Sequence, residues 1–135
     1  MVLRRTITHI NRICGFREAT LKTYGDTDRV IGEIKRERER QMNVEGWTLE
    51  HDDAHSRGDM AKAAACYALN AGRAPEHADN SFIRSYWPWD WKWWKPRSSR
   101  RDLIKAGALI VAEIERIDRA AIEKLSKALP KEPVR

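Results

Sequence analysis

"SRRDLIKAGALIVAEIERIDRAAIEKLSKALP" runs from Ser99 to Pro130, and its spacing decides the fold class. Leu103, Gly107, Ile110, Ile114, Ile117, Ala121 and Leu125 recur at steps of mostly four and three, which is one apolar stripe down a long helix. Ser99-Arg-Arg-Asp102 carries the capping-box pattern, and Pro130 bars continuation. The stripe is the expected core-facing side. The later half of the helix outruns a small domain, so it is also a candidate dimerisation arm and a homo-oligomer is one expected assembly.

Just upstream, "SYWPWDWKWWKP" (Ser85–Pro96) holds five of the six tryptophans. Trp87, Trp89, Trp91 and Trp93 alternate with Pro88, Asp90 and Lys92, so an extended chain would put four indoles on one side. The prolines favour extended or turn backbone and oppose a central strand. A stiff aromatic segment packed across helices is the expectation. Two or three of its indoles belong to the core in any case; the surplus, with Trp94, makes either a ligand wall or a protein-binding patch. Arg97, Arg100 and Arg101 follow at the start of the long helix, where free N–H groups favour an anion.

Two more helices complete the set. The first opens near Asp26–Thr27 and closes at Gly46, with a thin stripe of Val30, Ile31, Ile34, Gln41 and Met42. Arg38 falls on that stripe, where a solvated charge is out of place. The second spans about Asp59–Ala71, after a capping-box pattern at Ser56-Arg-Gly-Asp59. Met60, Ala64, Tyr67 and Ala71 mark one face, and Ala61, Ala65 and Ala68 another, so a central helix is expected. Residues 1–25 read as an N-terminal extension with a short strand over LRRTITHI, 26–129 as a single helical domain, and 130–135 as a tail. The predicted class is mainly α: three main helices and a tryptophan-rich loop.

Net charge is +6, yet acids and bases interleave (EIKRERER, EIERIDR), which reads as solvated helix faces before it reads as nucleic-acid binding. The longest uncharged apolar run, Ala106–Ala112, is far too short to span a membrane. The opening residues lack the apolar region of a signal peptide. Cys14 and Cys66 fit no zinc spacing, so reduced thiols and a cytoplasmic location are expected.

"EGWTLEHDDAH" packs His51, Asp52, Asp53 and His55 behind the first helix. Imidazole and carboxylate together suit a divalent metal. No third histidine or cysteine stands at a ligand spacing, so no metal is the preferred reading. Under an enzymatic alternative those four residues would hold magnesium or manganese. Glu113, Glu115 and Asp118 invite comparison with all-helical nucleotide pyrophosphohydrolases, but the doubled glutamates of a partner helix are missing and surface ion pairs explain the acids.

The run "RERERQMNVEGWTLEHDDAH…GDMAKAAACYA…WPWDWKWWKP…RRDLIKAGALIVAEIERIDRA" resembles a family of small phage and prophage proteins of uncharacterised role, over about Val30–Ala120. More remotely, it is similar to the ryanodine-receptor repeat, with Trp47, Pro88, Trp89, Asp90 and Arg101 on its pattern and the alanine-rich helix as an insertion. The resemblance implies a sensor or sponge for a nucleotide-like signal, acting in the host cytoplasm against host defence. On that expectation Trp47, Trp87, Trp89, Trp91, Trp93 and Trp94 supply stacking surface. Arg38, Arg97, Arg100 and Arg101 hold phosphate, and Asp90 and Asp53 read hydroxyls or a base edge. The ligand would be a cyclic or ADP-ribose-type nucleotide, without cofactor and without turnover. The alternatives are the metal-dependent nucleotide hydrolase, a protein-interaction module using the tryptophan face, and a basic DNA-binding module.

Overall fold

The computed structural model describes residues 26–73 and 80–130. The expected N-terminal strand, the middle of the RAPEHADNSF loop and the chain after Pro130 lie outside the described residues. The elements are α1 (Thr27–Val44), α2 (Leu49–Ala54), α3 (Asp59–Ala71), α4 (Ser81–Tyr86), a 3-10 turn (Trp91–Trp93) and α5 (Ser99–Ala128). No strand occurs among the described residues, so the mainly α class with three main helices holds. No helix among them is long and apolar enough to cross a membrane.

The chain divides into two units, residues 1–33 and 34–135, and the division falls inside α1. In the first, Asp26 Oδ1 accepts the Asp28 N–H at 2.9 Å, and Arg29 pairs with Glu33 one turn on. All the packing that follows belongs to the second unit.

There α3 lies chiefly against α5, and touches α4 as well. Met60, Ala63, Ala64, Cys66 and Tyr67 of α3 meet Ala106, Leu109 and Ala112 of α5, with Ile83 of α4 and Trp87 completing the core. Alanines on both helices let the backbones come close, and the rings of Tyr67 and Trp87 fill the volume that small side chains leave. Another close approach is at Gly107, where a Cβ would stand 2.9 Å from Ile34 Cδ1.

This packing reverses one expectation. The stripe of larger apolar residues on α5 is not the buried side: Leu103, Ile110, Ile114, Ile117 and Leu125 are all at least half exposed. The buried face instead carries Asp102, Ile104, Ala106, Ala108, Leu109, Ala112 and Glu113. Side-chain size, more than hydrophobicity, selected the face that α3 could approach. On α3 the second alanine face is also turned outward: Ala61, Ala65 and Ala68 are exposed, while Ala63 and Cys66 take the buried positions expected of them.

Neither capping box forms. Ser98, one residue earlier than expected, caps α5 by accepting the Arg101 N–H at 3.3 Å. Asp102 is fully buried and accepts the Arg97 N–H at 2.7 Å and Asn70 Nδ2 at 3.0 Å, tying the loop and α3 to the helix start. Gly58 precedes α3 with φ +74° and offers no side-chain cap, and Asp59 turns to His55 at 3.2 Å.

Candidate functional site

A sharp reversal after α1 builds one side of the site. The Trp47 N–H donates to the Gln41 carbonyl at 3.1 Å while Gly46 sits at φ +75°, a left-handed turn that glycine adopts without strain. Thr48 then caps α2, its Oγ1 accepting the His51 N–H at 3.3 Å. Within a few residues the chain presents Trp47, turns, and sets His51 and His55 one helical turn apart. Trp47 lies parallel to His51 at 6.2 Å between ring centroids, and His51 meets His55 at 4.7 Å.

The tryptophan segment builds the other side, and not as a flat ribbon. Asp90 Oδ1 accepts the Lys92 N–H at 2.8 Å and opens the 3-10 turn, which breaks the alternation of faces. Trp87 is buried between Tyr67 at 5.7 Å, Trp89 at 5.4 Å and Trp94 at 5.0 Å, and its indole N–H donates to the Asp90 carbonyl at 3.2 Å. Trp94 stacks on Tyr67 at 4.8 Å and on Trp91 at 5.6 Å. Trp87, Trp91 and Trp94 therefore belong to the core and its cover. Trp89 also packs against the core, on Trp87, and reaches beyond it to Trp47 at 5.4 Å and His55 at 5.6 Å. Trp93 is 40% exposed, with the ammonium groups of Lys95 and Lys92 at 5.1 and 5.7 Å from its ring centre.

Between these two sides opens a pocket of about 350 Å3. Three indoles line it, Trp47, Trp89 and Trp93, together with His51 and His55. Glu45, Gly46 and Asp90 complete the lining. Its size is at the lower end of small-molecule sites, roughly 300–1,000 Å3. His55 Nδ1 stands 3.4 Å from the Trp89 indole N–H and 3.2 Å from Asp59 Oδ2. One nitrogen cannot both accept and donate, so the tautomer of His55 decides whether it receives the indole or gives to the carboxylate.

Of the residues expected at a ligand, the pocket gathers Trp47, Trp89, Asp90 and Trp93. The expected phosphate ligands are placed elsewhere. Arg38 is buried and ion-paired, its Nη2 2.5 Å from Asp52 Oδ2 and 3.0 Å from Glu115 Oε2. Arg101 binds the buried Glu37, Arg97 contributes its backbone N–H to Asp102, and Arg100 is exposed. Asp53 faces Arg119 at 2.7 Å. The odd position of Arg38 on an apolar stripe thus marked a structural ion pair.

The alternative metal set is also dispersed. Asp52 serves Arg38, Asp53 serves Arg119 and His55 faces Asp59, while His51 lies 3.7 Å from the far oxygen of Asp52. Glu113 pairs with Arg116 at 2.8 Å and Glu115 with Arg38. Among the described residues no three histidine, cysteine, aspartate or glutamate side chains gather as a metal site.

Sequence reasoning passed over Glu45 and Gly46 as site residues. The cue was Gly46 itself, since a helix-ending glycine directs the residues beside it. Glu45 accepts from Arg40 at 2.8 Å, and Arg40 also clasps Glu37. Burial alone would raise the Glu37 carboxyl, but hydrogen bonds from Arg40 and Arg101 outweigh it and hold the group below its ordinary value. No protein-family model, curated protein or solved structure matches the chain.

Proposed function

We propose that this protein binds one small nucleotide-like molecule and holds it without altering it. The observation that carries the reading is the pocket bounded by Trp47, Trp89 and Trp93 with Glu45 and Asp90 on its lining. Indole faces stack on a planar heterocycle, and each stacked base is worth about 1–3 kcal/mol. Carboxylates accept the N–H donors of a base edge or the hydroxyls of a sugar. Lys92 and Lys95, whose ammonium groups lie over the Trp93 ring, take the place of the arginines as partners for a phosphate. Such a site needs no catalytic group to act as a sponge for a signalling nucleotide, the role implied by the resemblance to phage proteins.

The acidic lining favours a second reading, an alkylated ammonium caged by the indoles. The two lysine ammonium groups on Trp93 weigh against it, because they would repel such a ligand.

The test is retention. Purified protein is mixed with linear, cyclic and ADP-ribose nucleotides, and with choline and trimethyl-lysine, in magnesium and manganese. Unbound material is removed, the protein is heat-denatured and both fractions are chromatographed. The reading requires one nucleotide class retained and released intact. Conversion to product would replace it with the hydrolase, and retention of the ammonium compounds alone would replace it with the cage.

A further inference from the structure

A chamber of about 40 Å3 adjoins the pocket and shares Glu45, Trp47 and Trp93 with it. Gln41, Tyr67 and Lys105 also line it. Gln41 is 2% exposed, and its Oε1 and Arg38 Nη1 are, among the described residues, the buried side-chain atoms that lack a hydrogen-bond partner. Leaving such an acceptor empty is costly, and native proteins generally satisfy it with water or a ligand.

Tyr67 and Lys105, on the same lining, are donors. The Tyr67 hydroxyl accepts the Lys95 N–H at 3.3 Å, and that bond leaves its own proton to give. Burial pushes the Tyr67 hydroxyl up to about 12, so it keeps the proton at neutral pH. Lys105 gives one N–H to the Lys95 carbonyl and lies 5.1 Å from the Tyr67 ring centre, with protons to spare. The carboxylates nearby are already engaged, Glu37 by Arg40 and Arg101, and Glu45 by Arg40.

The lining therefore sets one unsatisfied acceptor, on Gln41, beside the donors Tyr67 and Lys105, with Lys95 and Arg40 also on it. A phosphate or carbonyl oxygen would answer the donors and leave Gln41 empty. An ammonium would answer Gln41 and be repelled by Lys105. A hydroxyl answers both, whether of a water in the free protein or of the ligand that displaces it. We propose that the chamber is a subsite for a single hydroxyl of the ligand, which accepts from Tyr67 and Lys105 and donates to Gln41 Oε1. Resting on the nucleotide reading of the pocket, this makes the group a ribose hydroxyl and the site selective for ribonucleotides over deoxyribonucleotides.

The experiment titrates the full chain, by tryptophan fluorescence, with ribonucleotides and their 2′-deoxy and 3′-deoxy counterparts. Removing one of the two hydroxyls should weaken binding about ten-fold or more, because a site built around a hydroxyl rejects the analogue without it. Gln41→Leu has similar bulk and removes the unsatisfied oxygen, so it should remain folded, which its thermal melt checks. In that variant the preference for ribo over deoxy ligands should shrink, since Tyr67 and Lys105 remain to donate but the hydroxyl proton loses its acceptor. Equal binding by the native protein overturns the subsite and leaves the pocket standing, as does a preference undiminished in Gln41→Leu. Failure of every ribonucleotide to bind overturns the pocket reading, and the subsite with it.

Discussion

Trp87 and Trp93 belong to one short segment and have opposite environments. Trp87 is 7% exposed, hemmed by three aromatic rings, and spends its N–H on a carbonyl of its own loop. Trp93 is 40% exposed, faces two lysines and borders both the pocket and its side chamber. The 3-10 turn opened by Asp90 separates them, turning an alternating run into a core side and a solvent side. An aromatic cluster can thus close a small helical core and still leave indole surface for a ligand.

The largest effect should come from the core side. Trp87→Ala should lower unfolding free energy by about 3–5 kcal/mol, measured by urea denaturation. A variant as stable as the parent would break the comparison. A similar contrast holds for the adjacent carboxylates of α2, which carries His51 of the pocket and ends at His55. Asp52→Ala leaves the buried Arg38 with only the partly exposed Glu115 as counter-charge and should cost about 2 kcal/mol or more, whereas Asp53→Ala removes an exposed pair and should cost less than about 1 kcal/mol. Equal losses would mean that burial does not separate them.

The acid limb of the stability curve sharpens the picture next to the side chamber. The folded-state value of Glu37 is depressed, so its contribution is present above the unfolded value near 4.5 and is lost as pH falls through the folded one. Glu37→Gln should therefore flatten the loss of stability between about pH 5 and about pH 3. An unchanged acid limb would show that Arg40 and Arg101 do not hold this carboxylate. Smallest of all, Trp93→Ala should change stability by no more than about 0.5 kcal/mol while removing ligand binding. Ile117→Gln should be equally mild, since that side chain is 51% exposed on the outer face of α5.

That last variant marks where the sequence misleads. Periodicity identified α5 and its extent, and Gly46, Gly72 and Pro130 located helix ends, because these features act locally. Which face of α5 is buried depends on the shape of α3, and a stripe of isoleucines says nothing about a row of alanines on another helix. The capping boxes failed for a related reason: Asp102 found Asn70 and the Arg97 N–H, partners that only the tertiary fold supplies. At the site, tryptophan content pointed to the right segment, but the division of its indoles depended on one Asx-type turn. The arginines were legible as charge, not as partners: Arg38 and Arg101 bind carboxylates distant in sequence or on another helix. Gln41 looked like a stripe residue, and its unsatisfied oxygen exists only once the chamber has formed.

The most direct test follows the six indole N–H signals by NMR as a ribonucleotide bound in the retention assay is added. The account predicts that the resonances of Trp47, Trp89 and Trp93 shift in a saturable way, while that of Trp87, donated to the Asp90 carbonyl, stays in place. Saturable shifts confined to Trp87, Trp91 and Trp94, with the pocket indoles unmoved, would contradict it.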